Sequence, residues 1–95
     1  MDQNAMVIPK ENVNNYSFVI TEVLSTRNDI IQRKIDLNRA LILGNAYRRK
    51  VKIIFETTKG LCQVETTIWA VTEKNIILKG GKLIPIPSIH KVKVY

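Results

Sequence analysis

The chain has 95 residues, with 15 Lys and Arg against 8 Asp and Glu and 45% apolar residues, which makes it one small domain with a thin core and excludes two domains. Its longest apolar runs, Ala40 to Leu43 and Ile76 to Leu78, fall far short of the roughly 20 residues of a membrane-spanning helix. No membrane partnership is expected. Asp2 stands where a secretory signal carries positive charge, and no apolar stretch of roughly 7–15 residues follows it, so the expected location is the cytoplasm. The lone cysteine, Cys62, has no internal disulfide partner, in keeping with a reducing compartment.

The net charge of +7 is localised. Up to Ala46 the acids Asp2, Glu11, Glu22, Asp29 and Asp36 cancel Lys10, Arg27, Arg33, Lys34 and Arg39. Beyond Ala46 the bases are opposed only by Glu56, Glu65 and Glu73, so that half carries the whole excess. A one-sided positive field attracts polyanions or acidic protein surfaces, and salt weakens the attraction. The ordinary alternative is that the charge serves solubility.

Residues 1–15 combine Gln3, Asn4, Asn12, Asn14 and Asn15 with Pro9, a composition that buries little and reads as a flexible arm. Residues 16–24 mix signals: Val19, Ile20, Thr21 and Val23 suit a strand, while Leu24 lies seven residues before Ile31 and extends a helical stripe. A helix is expected to begin between Thr21 and Asn28, with either residue as its cap. Over residues 29–43, Ile31, Ile35 and Ile42 share one stripe and Ile30, Leu37 and Leu41 the adjoining one. Gln32, Arg33, Asp36 and Arg39 are expected to face water, as in a one-sided amphipathic helix. Gly44-Asn45 reads as the stop, and Arg48, Arg49 and Lys50 follow at the negative end of the helix dipole.

After Arg49 the period becomes strand-like. Residues 51–57 form a first strand ending at the turn Lys59-Gly60. Residues 61–72 form a second, with Cys62, Val64, Thr66, Ile68 and Ala70 on one face and Gln63, Glu65, Thr67 and Trp69 on the other. Glu73-Lys74-Asn75 is a turn, residues 76–79 a third strand, and Gly80-Gly81 a hairpin connection to a fourth over residues 82–87. Pro85 and Pro87 cannot both donate into a central ladder, so this strand has an unpaired side or a bend. Ser88-Ile89 is a brief turn and residues 90–95 are the fifth strand. The expected fold is α+β, mainly β: an N-terminal helix followed by a strongly bent, five-stranded antiparallel small barrel. Residues 16–95 then form a single helix-plus-barrel domain behind the arm of residues 1–15. Closure, or pairing with another subunit, would remove the open edges of so small a sheet.

In order and spacing, residues 43–95 resemble the Sm-like family of small barrels, which includes the Hfq proteins. The likeness lies in the helix, the first strand ending at Lys59-Gly60, the long bent second strand, the short Ile76-Ile77-Leu78, and the final pair. In that pair Leu83-Ile84-Pro85-Ile86-Pro87 meets Ser88-Ile89 and Val92-Lys93-Val94. The resemblance implies ring assembly and binding of single-stranded RNA at loops around a pore. Of the Asp and Asn usual between the second and third strands of Sm proteins, Thr72-Glu73-Lys74-Asn75 keeps only Asn75. The Tyr-Lys-His signature of Hfq proteins is replaced by Pro85-Ile86-Pro87-Ser88-Ile89-His90. Uridine-pocket chemistry does not transfer, and the same barrel also occurs in modules that bind proteins.

The inventory for catalysis is one histidine, His90, and one cysteine, Cys62. A nucleophilic pair needs both in one cleft, whereas Cys62 begins an inward-facing alternation, an ordinary place for a small apolar residue. Zinc needs three or four clustered ligands, which the spacing does not offer, and Gly80-Gly81 lacks the context of a phosphate loop. No enzyme, metal or cofactor is expected. Tyr47, Arg48, Arg49, Lys50 and Lys52 are candidates for phosphate contacts, with Tyr47 stacking a base; otherwise they are a solvated helix end. Lys74, Asn75, Lys79 and Lys82 on two turns are a second candidate group, and Trp69 is a candidate anchor for a protein partner unless it lies under the helix. The leading expectation is therefore a non-enzymatic module that binds RNA or other nucleic acid through a basic surface. The alternative is a protein-interaction adaptor for an acidic partner, with homo-oligomers allowed in either case.

Overall fold

The chain is described by a computed structural model over residues 5–94. Its strands are β1 (Met6–Val7), β2 (Val51–Thr57), β3 (Gly60–Thr66), β4 (Ile68–Val71), β5 (Asn75–Leu78), β6 (Leu83–Pro85) and β7 (Ile89–Lys93), and its helix is α1 (Arg27–Tyr47). Two 3-10 turns, Lys10–Asn15 and Ile86–Ser88, complete it.

The β-branched run of β2 turns back on β3 through a tight connection, in antiparallel register from Val51 opposite Thr66 to Thr57 opposite Gly60. Gly60 takes a φ of +113°, which a side chain would resist. Thr57 locks the turn: its Oγ1 donates to the Gly60 carbonyl at 3.0 Å and accepts the Lys59 N–H at 3.1 Å. β7 pairs with the other edge of β2, with a bulge between Ile54 and Phe55. This gives one four-stranded sheet ordered β1-β3-β2-β7 and a second, three-stranded sheet ordered β4-β5-β6.

The core lies between the sheets. Ile53, Phe55, Val64, Ile68, Ile76, Leu78, Ile84 and Ile89 are fully buried, each worth roughly 1.5–3 kcal/mol of removed apolar surface. The Phe18 ring leans on Phe55 with centroids 5.7 Å apart. α1 packs against β4 and β7, placing Leu37, Ala40 and Gly44 inward.

Several expectations are corrected. The sheets are open and do not close into a barrel. The expected second strand breaks at Thr67 into β3 and β4, which belong to different sheets. β6 is only three residues long, because Pro85 and Pro87 lack the N–H groups that would extend the ladder toward β7. The bend expected at the two prolines does occur there: the Ile86 N–H donates to the Lys74 carbonyl at 2.9 Å and the Ser88 hydroxyl to the Pro85 carbonyl at 2.7 Å. The helix is not N-terminal, since β1 and a 3-10 turn precede it. Over residues 6–15 the stretch read as an arm packs on the sheet: β1 runs parallel to β3, with Met6 opposite Cys62, and Ile8 and Val13 are buried. Residues 1–4 of that arm and Tyr95 of the expected fifth strand lie outside the described residues.

α1 is capped by neither Thr21 nor Asn28 but by Thr26, whose Oγ1 accepts the Asp29 N–H at 3.1 Å. It also runs past Gly44-Asn45. Its helical face is rotated from the expected one: Arg33 is 5% exposed, while Ile31, Ile35 and Ile42 stand in solvent. Glu22 causes the rotation. Both guanidinium nitrogens of Arg33 donate to the Glu22 carboxylate, one at 2.7 Å, and Nη1 also donates to the Ile89 carbonyl at 2.9 Å. A buried charge with all of these partners is tolerated, and with Arg33 inward the isoleucine stripe points outward.

Candidate functional site

The end of α1 sits close on β4 because residue 44 has no side chain. A Cβ on Gly44 would lie 2.5 Å from the Ile68 carbonyl oxygen. The helix then continues to Tyr47 and ends at Arg48, which takes the left-handed conformation, φ 55° and ψ 35°, usually filled by glycine. Its N–H donates to the Gly44 carbonyl at 3.0 Å and the Arg49 N–H to the Leu43 carbonyl at 3.3 Å, so the last turn is closed without glycine. Beyond it, Arg48 and Lys50 line one cleft with Thr67 and Trp69 at the start of β4.

The other wall follows from the break between the sheets. Thr67 leaves the β3 ladder and its carbonyl accepts the Lys79 N–H at 2.9 Å, which ties the end of β5 to the start of β4. Trp69 alternates outward from β4 and is 50% exposed. The result is a cleft of about 410 Å³ lined by Gly44, Asn45, Arg48, Lys50, Thr67, Trp69 and Lys79. No acid among the described residues lines it. Arg48, Lys50 and Lys79 make no ion pair among those residues, so within them the charges facing the cleft are uncompensated. Chemically, this is a cationic site with one exposed indole face and the Asn45 amide at its rim.

Of the expected site residues, the structure brings together Arg48, Lys50 and Lys79, and adds Trp69 to them. Tyr47 is 70% exposed on the last turn of α1 and does not line the cleft. Neither do Arg49 and Lys52. Lys74 and Asn75 line a different groove beside Glu22 and Glu73, and Lys82 is half-buried just past the Gly80-Gly81 turn. Asn45 and Thr67 were not legible as site residues, since the first read as a helix stop and the second as mid-strand.

The two reactive side chains each face a different partner. Cys62 is fully buried and its Sγ lies 3.8 Å from the Thr57 hydroxyl. His90 Nε2 is 2.7 Å from the Glu56 carboxylate on the adjacent strand. No group of three or more metal-ligating side chains occurs among the described residues, and no helix among them is long and apolar enough to cross a membrane. The carboxyl of Glu22 is held below its ordinary range, chiefly by the Arg33 hydrogen bonds, against an opposing effect of burial. No family model, curated protein or solved structure matches the chain.

Proposed function

We propose that the protein is a non-enzymatic binding module of the cytoplasm whose basic cleft takes single-stranded RNA or other single-stranded nucleic acid. In this reading one base stacks on Trp69 while Arg48, Lys50 and Lys79 hold the flanking phosphates. The observation that carries it is the union, in one cleft with no acid among the described residues, of three cations that make no ion pair there and a half-exposed indole. Phosphate contacts supply affinity and position, and a π-face accepts any base, so this combination suits a strand bound with little sequence preference.

The test uses a fluorescein-labelled 12-nucleotide single-stranded RNA of mixed sequence, titrated by anisotropy at several salt concentrations. Three phosphate contacts give a log–log slope of about −2, since each contributes about 0.7 for single strands. Trp69 is the chain's only tryptophan, so its intrinsic fluorescence reports stacking directly and is expected to quench on binding. Trp69→Ala is expected to cost about 1–3 kcal/mol of affinity. Binding that ignores salt, or a Trp69→Ala variant that binds as tightly as the wild type, would overturn the reading.

A further inference from the structure

α1 carries a second surface that the cleft does not use. At 100° per residue, Ile31, Ile35 and Ile42 fall within one narrow stripe almost opposite the buried Leu37, Ala40 and Gly44. These three isoleucines are 49%, 46% and 63% exposed. Their spacing of four and then seven residues is the seam of a two-helix coil, with Asn38 at the intervening inward position of the heptad. β-branched side chains left about half or more in water, on a helix whose other face already has its core, contribute little to the folding of this domain, whereas they suit a second helix laid alongside.

We propose that this outward face of α1 docks an amphipathic helix of another protein whose apolar seam is flanked by Asp and Glu. The flanks of the stripe decide the occupant. Arg27 and Lys34 border it on one side and Arg39 on the other; all are exposed and none makes an ion pair among the described residues. Asp29 and Asp36 lie round the helix toward its packed side, and Asp36 accepts a hydrogen bond from Gln32 at 3.0 Å. A second copy of this chain would set cation against cation in either orientation: Lys34 meets Arg39 when the helices are parallel, and each meets its own kind when they are antiparallel. Like charges across a seam disfavour a pairing, and acidic flanks complement it. Ile31 to Ile42 spans about 16 Å, so three to four turns of partner helix cover it, with a polar residue facing Asn38.

The probe is a synthetic 21-residue helix with Leu at its seam positions, one Asn to face Asn38, and Glu at the flanking positions. Two controls accompany it: the same peptide with Lys at the flanks, and a scrambled peptide of identical composition without the heptad. Binding to the full chain is read by calorimetry. The Glu-flanked peptide is expected to bind at least about tenfold more tightly than either control. Ile35→Asp/Ile42→Asp is expected to abolish that binding, and Lys34→Glu/Arg39→Glu to reverse the preference toward the Lys-flanked peptide. All four positions are exposed, and circular dichroism checks that both variants keep the fold. Equal binding of the Glu-flanked and scrambled peptides, unchanged binding by the Asp variant, or no binding of any peptide overturns the proposal. So does self-association of the wild type in the ultracentrifuge that the Asp variant loses, which would make the occupant a second copy. The RNA titration of the Asp variant separates this surface from the cleft, because its slope and quenching are expected to be unchanged.

Discussion

Gly44→Ala sets two opposing effects against each other at one atom. In an exposed helix interior the change would stabilise by about 1 kcal/mol, because glycine is the poorer helix former. Here the new methyl would stand 2.5 Å from the Ile68 carbonyl oxygen and 3.0 Å from Thr67 Cγ2, and ordinary contact requires the helix to retreat by about 1 Å. β4 cannot retreat instead, since Ile68 pairs with Leu78 across the ladder. Overpacking of this kind costs about 1–3 kcal/mol, and more when backbone is what must move. With backbone obliged to move, the cost falls at the upper end, about 2–3 kcal/mol, so it outweighs the propensity gain by about 1–2 kcal/mol, which for a domain of this size lowers Tm by about 4–16 °C. Urea unfolding followed by circular dichroism should show a lower midpoint with an unchanged m-value. Gly44 and Asn45 also line the cleft, so the same displacement widens it, and RNA affinity should fall in the fraction that remains folded. A Tm equal to or above that of the wild type would refute the reasoning, because it would mean that the helix yields freely and the close approach is not what glycine serves.

Thr26→Ala removes the acceptor for the Asp29 N–H and should cost about 1 kcal/mol, with Thr26→Ser restoring it; thermal melts of the two variants decide this. Glu22→Gln leaves the buried Arg33 with only neutral acceptors, and because Glu22 itself is about one-third exposed the cost should be about 1–3 kcal/mol rather than that of a fully buried pair. The folded-state carboxyl of Glu22 is depressed below 4.5, so its contribution is complete above that pH and is lost as the pH falls through the depressed value. The stability gap between wild type and Glu22→Gln, from urea midpoints, should thus be constant above about pH 5 and narrow as the pH falls below 4.5. Arg48→Gly relieves the left-handed strain at φ 55° but loosens the unfolded chain, so stability should hold or rise by up to about 1 kcal/mol. RNA affinity should fall and the salt slope should flatten by about 0.7, and a variant that loses stability and keeps its slope would contradict the role given to Arg48.

The strands were legible where the period of two coincided with turn chemistry: Val51–Thr57 with Lys59-Gly60, and Ile76-Ile77-Leu78 with Gly80-Gly81. The break at Thr67 was not, because alternation runs unbroken from Cys62 to Ala70 and the change of sheet depends on a long-range bond from the Lys79 N–H. Gly44 misled for a related reason. A glycine near a helix end signals termination locally, whereas here it serves a tertiary contact with β4 and the left-handed position falls on Arg48. The basic character of the site was visible in the charge of the second half, but its membership was not. Arg48, Lys50 and Lys79 meet only once α1, β4 and β5 are packed, and Lys74, equally basic in sequence, ends beside Glu73 and Glu22.

The inward turn of Arg33 links the two surfaces. Hydrophobic periodicity alone places Ile31, Ile35 and Ile42 inside beside the stripe of Ile30, Leu37 and Leu41, of which Leu37 and Leu41 do reach the core, and it puts Arg33 in water. The fold takes the opposite choice because Glu22 and the Ile89 carbonyl satisfy the guanidinium from the loop and from β7 together, and because small residues, Ala40 and Gly44, let the helix lie close on the sheet. With Leu37, Ala40 and Gly44 inward, the end of α1 is brought against β4, and Arg48 and Trp69 come to line one cleft. The same rotation about the helix axis sets the isoleucine stripe outward between cations. One choice of helix face therefore produces both the basic cleft and the apolar seam, and a variant that relaxed it, such as Glu22→Gln, should disturb the two together.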